Sequence, residues 1–154
     1  MATKTEQGLT IKSIAFSQGG HIPKKYTCEG EDINPPLEIK GIPEKTKTLA
    51  IIVEDPDAPN GTFDHWLVWN IAPNEPIAEN HIPGISGRNS FGKTGYGGPC
   101  PPSGSHRYYF KIYALDINLD LLAGSDKKAL QKAMQNHVLA SGELMAHYKK
   151  SGNL

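Results

Sequence analysis

All 12 prolines of this 154-residue chain lie before Ser103, with 12 of its 16 glycines, and no proline follows through to Leu154. Proline fixes φ and removes a backbone donor, while glycine opens positive φ, so a stretch dense in both turns often and cannot sustain long helices. The first two-thirds therefore reads as short strands joined by elaborate loops, and the last third as a strand followed by helix. No internal repeat, low-complexity tract or linker interrupts this pattern, and residues 1–154 read as a single domain.

The strands declare themselves by period and by β-branched content. Leu9–Lys12 alternates and continues through Ile14 and Phe16, with an irregularity near Lys12–Ser13. Leu37–Ile39 is short and alternating. Thr48–Val53 and Trp66–Ile71 are continuous apolar runs too short for helices, as expected of strands buried on both faces. Arg107–Leu115 sets Tyr109, Lys111 and Tyr113 on one face against Tyr108, Phe110, Ile112 and Ala114 on the other. Ile82–Pro102 fits no regular element, and a long irregular loop inside a small domain marks a functional segment.

Past Gly124 the grammar becomes helical. Ser125 is the expected N-cap, with Asp126 in the first turn. Leu130, Met134, Val138, Ser141, Met145 and Tyr148 then recur at three- and four-residue steps, a core-facing stripe that Gly142 divides into two helices. The expected fold is mainly β, a sandwich or barrel with a C-terminal helical segment laid against it.

Charge and composition exclude several classes. Sixteen basic and sixteen acidic residues balance, which argues against an extended nucleic-acid surface. No apolar run approaches the length needed to span a bilayer. The N-terminus shows neither a basic n-region nor an apolar h-region, so a cytoplasmic location is the expectation. Cys28 and Cys100 are too few for a disulfide scaffold and read as two reduced thiols. Neither sits in a CxxC pair suited to structural zinc.

Three segments carry polar residues in odd places. Asp55-Pro56-Asp57-Ala58-Pro59 follows directly on an apolar strand and, taken alone, reads as a turn. His65 heads the apolar strand Trp66–Ile71. Gly97-Gly98-Pro99-Cys100-Pro101-Pro102 holds the backbone in a rigid curve before His106-Arg107-Tyr108 enters a strand. Inward amides, histidines and a tyrosine hydroxyl suit a phosphate or carboxylate. The curve is neither a Walker loop nor a dinucleotide fingerprint.

Taken together, these segments and Tyr26–Asp32 with Asn34–Leu37 resemble the phosphatidylethanolamine-binding protein family, which includes the Raf kinase inhibitor proteins, and in particular its small bacterial and archaeal branch. His137–Ala140 with Glu143-Leu144 is similar to that branch as well. The resemblance implies a two-sheet β-fold and a small surface pocket for phosphate, acetate or a phosphoethanolamine headgroup. By matching position, Asp55, Asp57, His65, Pro102, His106 and Tyr108 would line it, with backbone amides between Gly98 and Cys100 as further donors. Arg107 would brace the Asp55–Asp57 turn from the far side of its strand. In this light a Cys28–Cys100 disulfide becomes an option in an oxidising compartment. Eukaryotic members have a longer C-terminus that helps close the pocket, and in a sequence that stops at Leu154 that gate would be absent or built otherwise.

The expected activity is non-enzymatic binding of a small anion, without cofactor or metal. Asp55, His65 and His106 could serve as an acid–base set for ester hydrolysis, but no GxSxG elbow accompanies them. The same three groups could hold a metal, yet clustered carboxylates and histidines equally organise a pocket through hydrogen bonds. An inhibitor or signalling role, with the pocket regulatory, is the alternative. The resemblance allows a homodimer and names no protein partner. If both histidines contact the anion, affinity should fall as pH rises through about 6.5.

Overall fold

The computed structural model describes residues 7–150, so the first six residues of the N-terminal segment and the extreme C-terminus lie outside it. Strands β1 (Gln7–Gly8), β2 (Thr10–Lys12), β3 (Glu38–Lys40), β4 (Thr48–Asp55), β5 (Phe63–Ile71), β6 (Ile85–Ser86), β7 (Ser105–Leu115) and β8 (Val138–Lys149) carry the architecture, with helix α1 (Lys127–Met134) before the last strand. Six strands form one sheet in the order β1-β8-β7-β4-β5-β6, and β2 pairs with β3 in a second.

Both faces of the large sheet are covered, which explains the unbroken apolar runs. Leu49, Ile51 and Val53 of β4 join one core with Trp66, Val68, Phe110, Ile112 and residues around the small sheet. Ala50 and Ile52 point the other way, into a core with Leu67, Trp69 and the α1 residues Leu130 and Met134. A strand covered on both sides has no polar face to alternate with. β7 keeps its alternation because Tyr109, Lys111 and Tyr113 are only half-buried. The fold is mainly β with two sheets and one helix near the C-terminus, as the sequence pattern indicates.

The helical segment is much shorter than its apolar stripe suggests. The N-cap is Asp126 rather than Ser125: its Oδ1 accepts the Ala129 amide at 3.0 Å. The helix ends at Met134, and Asn136 takes a left-handed φ of 71° just beyond it, a position asparagine tolerates better than most residues. Val138, Ser141, Met145 and Tyr148 then belong to β8, which pairs antiparallel with β7 along its whole length. The same segment also carries a two-residue period, burying Ala140, Leu144, Ala146 and Tyr148. Long-range pairing with β7 decides between the two periods, and that lies outside any local window. Gly142 breaks nothing. A Cβ there would sit 2.3 Å from the Leu9 carbonyl oxygen, and its absence lets the incoming chain cross β8 closely.

Cys28 and Cys100 form a disulfide, which corrects their assignment as reduced thiols. The bridge ties the turn after a short 3-10 helix (Lys24–Tyr26) to the proline-rich loop before β7. No helix among the described residues is long and apolar enough to cross a membrane.

Candidate functional site

Three strand ends meet at one cavity of about 260 Å³, and each brings its polar residue by a different local device. On β4 the alternation that buries Leu49, Ile51 and Val53 carries Asp55 onto the same face. On β7 the alternation that buries Phe110 and Ile112 does the same for His106 and Tyr108. On β5 the device is a bulge. Val53 pairs with Trp66 and Glu54 with Asp64, so His65 has no counterpart in the ladder. An unpaired extra residue bends the strand and re-aims its side chain. His65 thereby enters the cavity, with its ring packed edge-on against Tyr108 and Phe91.

The polar groups are fixed by hydrogen bonds from behind. His65 Nδ1 faces the Gly97 carbonyl at 2.7 Å, while the Gly97 amide donates back to the His65 carbonyl at 2.9 Å. A carbonyl only accepts, so Nδ1 carries the hydrogen and Nε2 is the ring's open nitrogen. Burial holds the His65 pKa below its ordinary value, outweighing the Gly97 carbonyl and the Asp55 carboxylate that act in the opposite sense. His106 Nδ1 lies 2.6 Å from Asp55 Oδ2, and Asp55 Oδ1 accepts the Asp57 amide at 2.7 Å. Tyr108 is fully buried, and its hydroxyl makes no hydrogen bond within 3.5 Å, although the Asp55 carboxylate lies nearby. Burial and the nearby Asp55 carboxylate push its pKa far up, so it remains a proton donor.

Asp55, His65, Cys100, Pro102, His106 and Tyr108 all line the cavity. Asp57 and Gly98 do not. Asp57 turns to Arg107, which donates from its backbone amide at 2.9 Å, from Nε at 2.9 Å and from Nη2 at 2.8 Å. The bonds from Arg107 hold the Asp57 pKa at about 2. Together they close the turn after β4 as a brace, and Asp57, expected at the ligand, lies outside the lining of this cavity. Gly98 is equally committed: its amide donates to Asp32 Oδ1 at 2.8 Å, and a Cβ would lie 2.3 Å from the Tyr26 carbonyl oxygen. Its glycine identity serves close packing. Since Pro99 has no amide hydrogen, the Cys100 N–H is the one donor of that stretch left without a partner among the described residues.

The cavity also has an apolar wall that the polar motifs do not announce. Phe63, Phe91, Pro59 and Pro101 line it, and the Phe63 and Phe91 rings meet edge to face at 4.7 Å. Phe91 is held at the rim by Asn89, whose Oδ1 accepts the Phe91 and Lys93 amides at 2.9 and 3.2 Å. Asn89, the one asparagine between Ile82 and Pro102, together with Gly92 was the available turn signal. Among the described residues no group of three or more His, Cys, Asp or Glu is arranged to hold a metal ion.

Comparison with known proteins identifies the family and the fold. The family model described as phosphatidylethanolamine-binding protein matches residues 12–149. A UPF0098 protein of Archaeoglobus fulgidus is 52% identical over 94% of this chain, although the chain spans only 52% of that relative's length. A solved structure of a phosphatidylethanolamine-binding protein homolog from Chlamydia trachomatis superposes with a TM-score of 0.90. It is 44% identical and covers 94% of this chain and 99% of its own. E. coli YbcL, described as a member of the mammalian family, superposes with a TM-score of 0.86 at 28% identity, covering 94% and 100%. The matched span contains every segment that builds the cavity, from the Cys28 turn to Tyr108, and on that footing the chain belongs to the phosphatidylethanolamine-binding protein family.

Proposed function

We propose that this protein binds small phosphate-type anions, phosphoethanolamine-like headgroups among them, in the Asp55–His65–His106–Tyr108 cavity, and that it acts as a binding protein rather than an enzyme. One observation carries this above the others. Tyr108 lines the cavity and its buried hydroxyl makes no hydrogen bond within 3.5 Å; a buried donor without a close acceptor costs about 1–3 kcal/mol, which an anion oxygen reaching it would recover. The open nitrogens of two fixed imidazoles and the Cys100 amide surround the same space. The phenylalanine and proline wall suits the organic part of a small ester. The size of the cavity suits a headgroup better than a lipid with its acyl chains. Ser103 and Ser105 do not line the cavity, and Thr62, which does, is hydrogen-bonded to neither histidine among the described residues, which favours binding over attack on an ester.

The test is an NMR titration of 15N-labelled protein with inorganic phosphate and then phosphoethanolamine, repeated on His106→Ala. Saturable shifts clustered at Ala58, His65, Cys100 and His106–Tyr108, weakened at least tenfold in the variant, are expected. An absence of shifts at millimolar ligand would overturn the proposal.

A further inference from the structure

The cavity is unusual for an anion site because no lysine or arginine lines it. The basic side chains closest in the fold are engaged elsewhere. Arg107 is bound to Asp57, and Lys111 and Lys127 are bound to Glu54 and Asp64 on the opposite face of the sheet. The formally negative group that faces the cavity is Asp55, whose two oxygens already accept from His106 and from the Asp57 amide. The remaining titratable neighbours of the two imidazoles are Tyr108 on β7, Asp57 behind His106, and Asp64 beside His65, which is paired with Lys127 at 2.7 Å.

The orientation of His65 adds the decisive constraint. Its Nδ1 hydrogen points at the Gly97 carbonyl, so the neutral ring offers the cavity a lone pair on Nε2 rather than a donor. His106 has the same topology, with Nδ1 toward Asp55. An anion with no hydrogen of its own would meet two imidazole lone pairs beside a carboxylate, with the Tyr108 hydroxyl, the Cys100 amide and the exposed Asn60 and Thr62 side chains as its donors. An anion that carries an acidic O–H satisfies one of those lone pairs directly.

We propose that the cavity takes its ligand together with a proton: it selects inorganic phosphate or a phosphate monoester, whose P–O–H donates to Nε2 of His65, over sulfate and over phosphate diesters, which carry no such hydrogen. This rests on the anion-binding function above and narrows it. The phosphate of an intact phospholipid is a diester, so the favoured ligand is a free or protein-borne phosphate monoester rather than a membrane headgroup.

Four probes test this by isothermal titration calorimetry. Inorganic phosphate and sulfate match in size and, at about pH 7.5, closely in charge, but only phosphate retains a hydrogen. Phosphoethanolamine and glycerophosphoethanolamine compare monoester with diester. Because a monoester loses its last proton near pH 6, its binding at about pH 7.5 should take up close to one proton, read from buffers of different ionisation enthalpy, and uptake should vanish near pH 5. Phosphate is expected to bind at least tenfold more tightly than sulfate, and the monoester at least tenfold more tightly than the diester. His65→Gln, which offers the cavity an amide donor, should narrow the phosphate-to-sulfate ratio, and the wild-type comparison stands whether or not that variant folds.

Equal binding of phosphate and sulfate without proton uptake would overturn the proposal while leaving the anion site intact. Tight diester binding would overturn it in favour of a lipid headgroup. Failure of all four probes to bind would remove the anion-binding function itself, and this proposal with it.

Discussion

Glu54 and Asp55 are adjacent on β4, and the strand sends them to opposite faces of the sheet. On the helix face Glu54 is closed off by ammonium groups: Lys111 Nζ lies at 2.8 Å and Lys127 Nζ at 3.1 Å, with Lys127 also reaching Asp64 at 2.7 Å. Burial alone would raise the Glu54 pKa, yet the two lysines overcome it and hold the carboxyl below its usual range. On the cavity face Asp55 has no ammonium partner, only a histidine and a backbone amide. The difference separates a site that is finished from one that is left open. Where every charge is compensated, the arrangement locks α1 to the strand ends; where the partners are imidazoles with a nitrogen to spare, the arrangement still has something to bind.

Each face is also held by a different kind of stitch. The cavity side is built from loops and carries the Cys28–Cys100 bridge, which closes a sequence separation of 72. A loop of that size restricts the unfolded chain by about 4 kcal/mol in the chain-entropy treatment. Replacing both cysteines by serine should therefore lower the unfolding free energy by about 2–4 kcal/mol in urea titrations. A loss below about 1 kcal/mol would mean that the noncovalent ties of the same loop suffice. Those ties are Gly98 to Asp32 and the Tyr96 hydroxyl to the Tyr26 carbonyl.

The helix side is the weaker stitch. Lys127→Met keeps the aliphatic stem but leaves Asp64 without its ammonium partner and Glu54 with Lys111 alone. Unpairing a half-buried carboxylate should cost about 2 kcal/mol, below the 3–5 of a fully buried pair. Phosphate affinity should stay within about twofold of wild type, because no atom of this network lines the cavity. A parallel loss of affinity would show that the two faces communicate through the bulge, where Asp64 immediately precedes His65.

Much of this contrast was legible in the sequence, and the remainder was hidden for physical reasons. Asp55, His65, Pro102, His106 and Tyr108 sit at motif positions, and the cavity gathers all of them. Asp57 and Gly98 belong to the same motifs but face elsewhere, because a motif records proximity along the chain and not the direction of a side chain. The bulge at His65 depends on how β4 and β5 register, a relation between two strands that neither segment carries alone. For the same reason β8 was masked by a helical stripe. The Cys28–Cys100 bridge joins segments 72 residues apart in the chain, and two isolated cysteines carry no local sign of pairing.

The smallest expected effect probes the open face through folding. His65 is less basic in the folded protein than in the unfolded chain because of its burial, so on acidification the unfolded state takes up its proton first. The stability that depends on a neutral His65 is therefore complete above about pH 6.5 and is lost as pH falls toward the depressed folded value, with a slope of at most about 1.4 kcal/mol per pH unit. Wild type and His65→Gln, unfolded in urea at several values between about pH 7 and pH 5, should show stability curves that diverge in this window, with the variant flatter. The helix face cannot mimic the effect, since the Glu54 carboxyl lies below its usual range and begins to matter only at more acidic pH. Parallel curves would mean that His65 takes its proton in the folded state as readily as in water. The chemical distinction between the closed face and the open one would then have to rest on His106 and Tyr108.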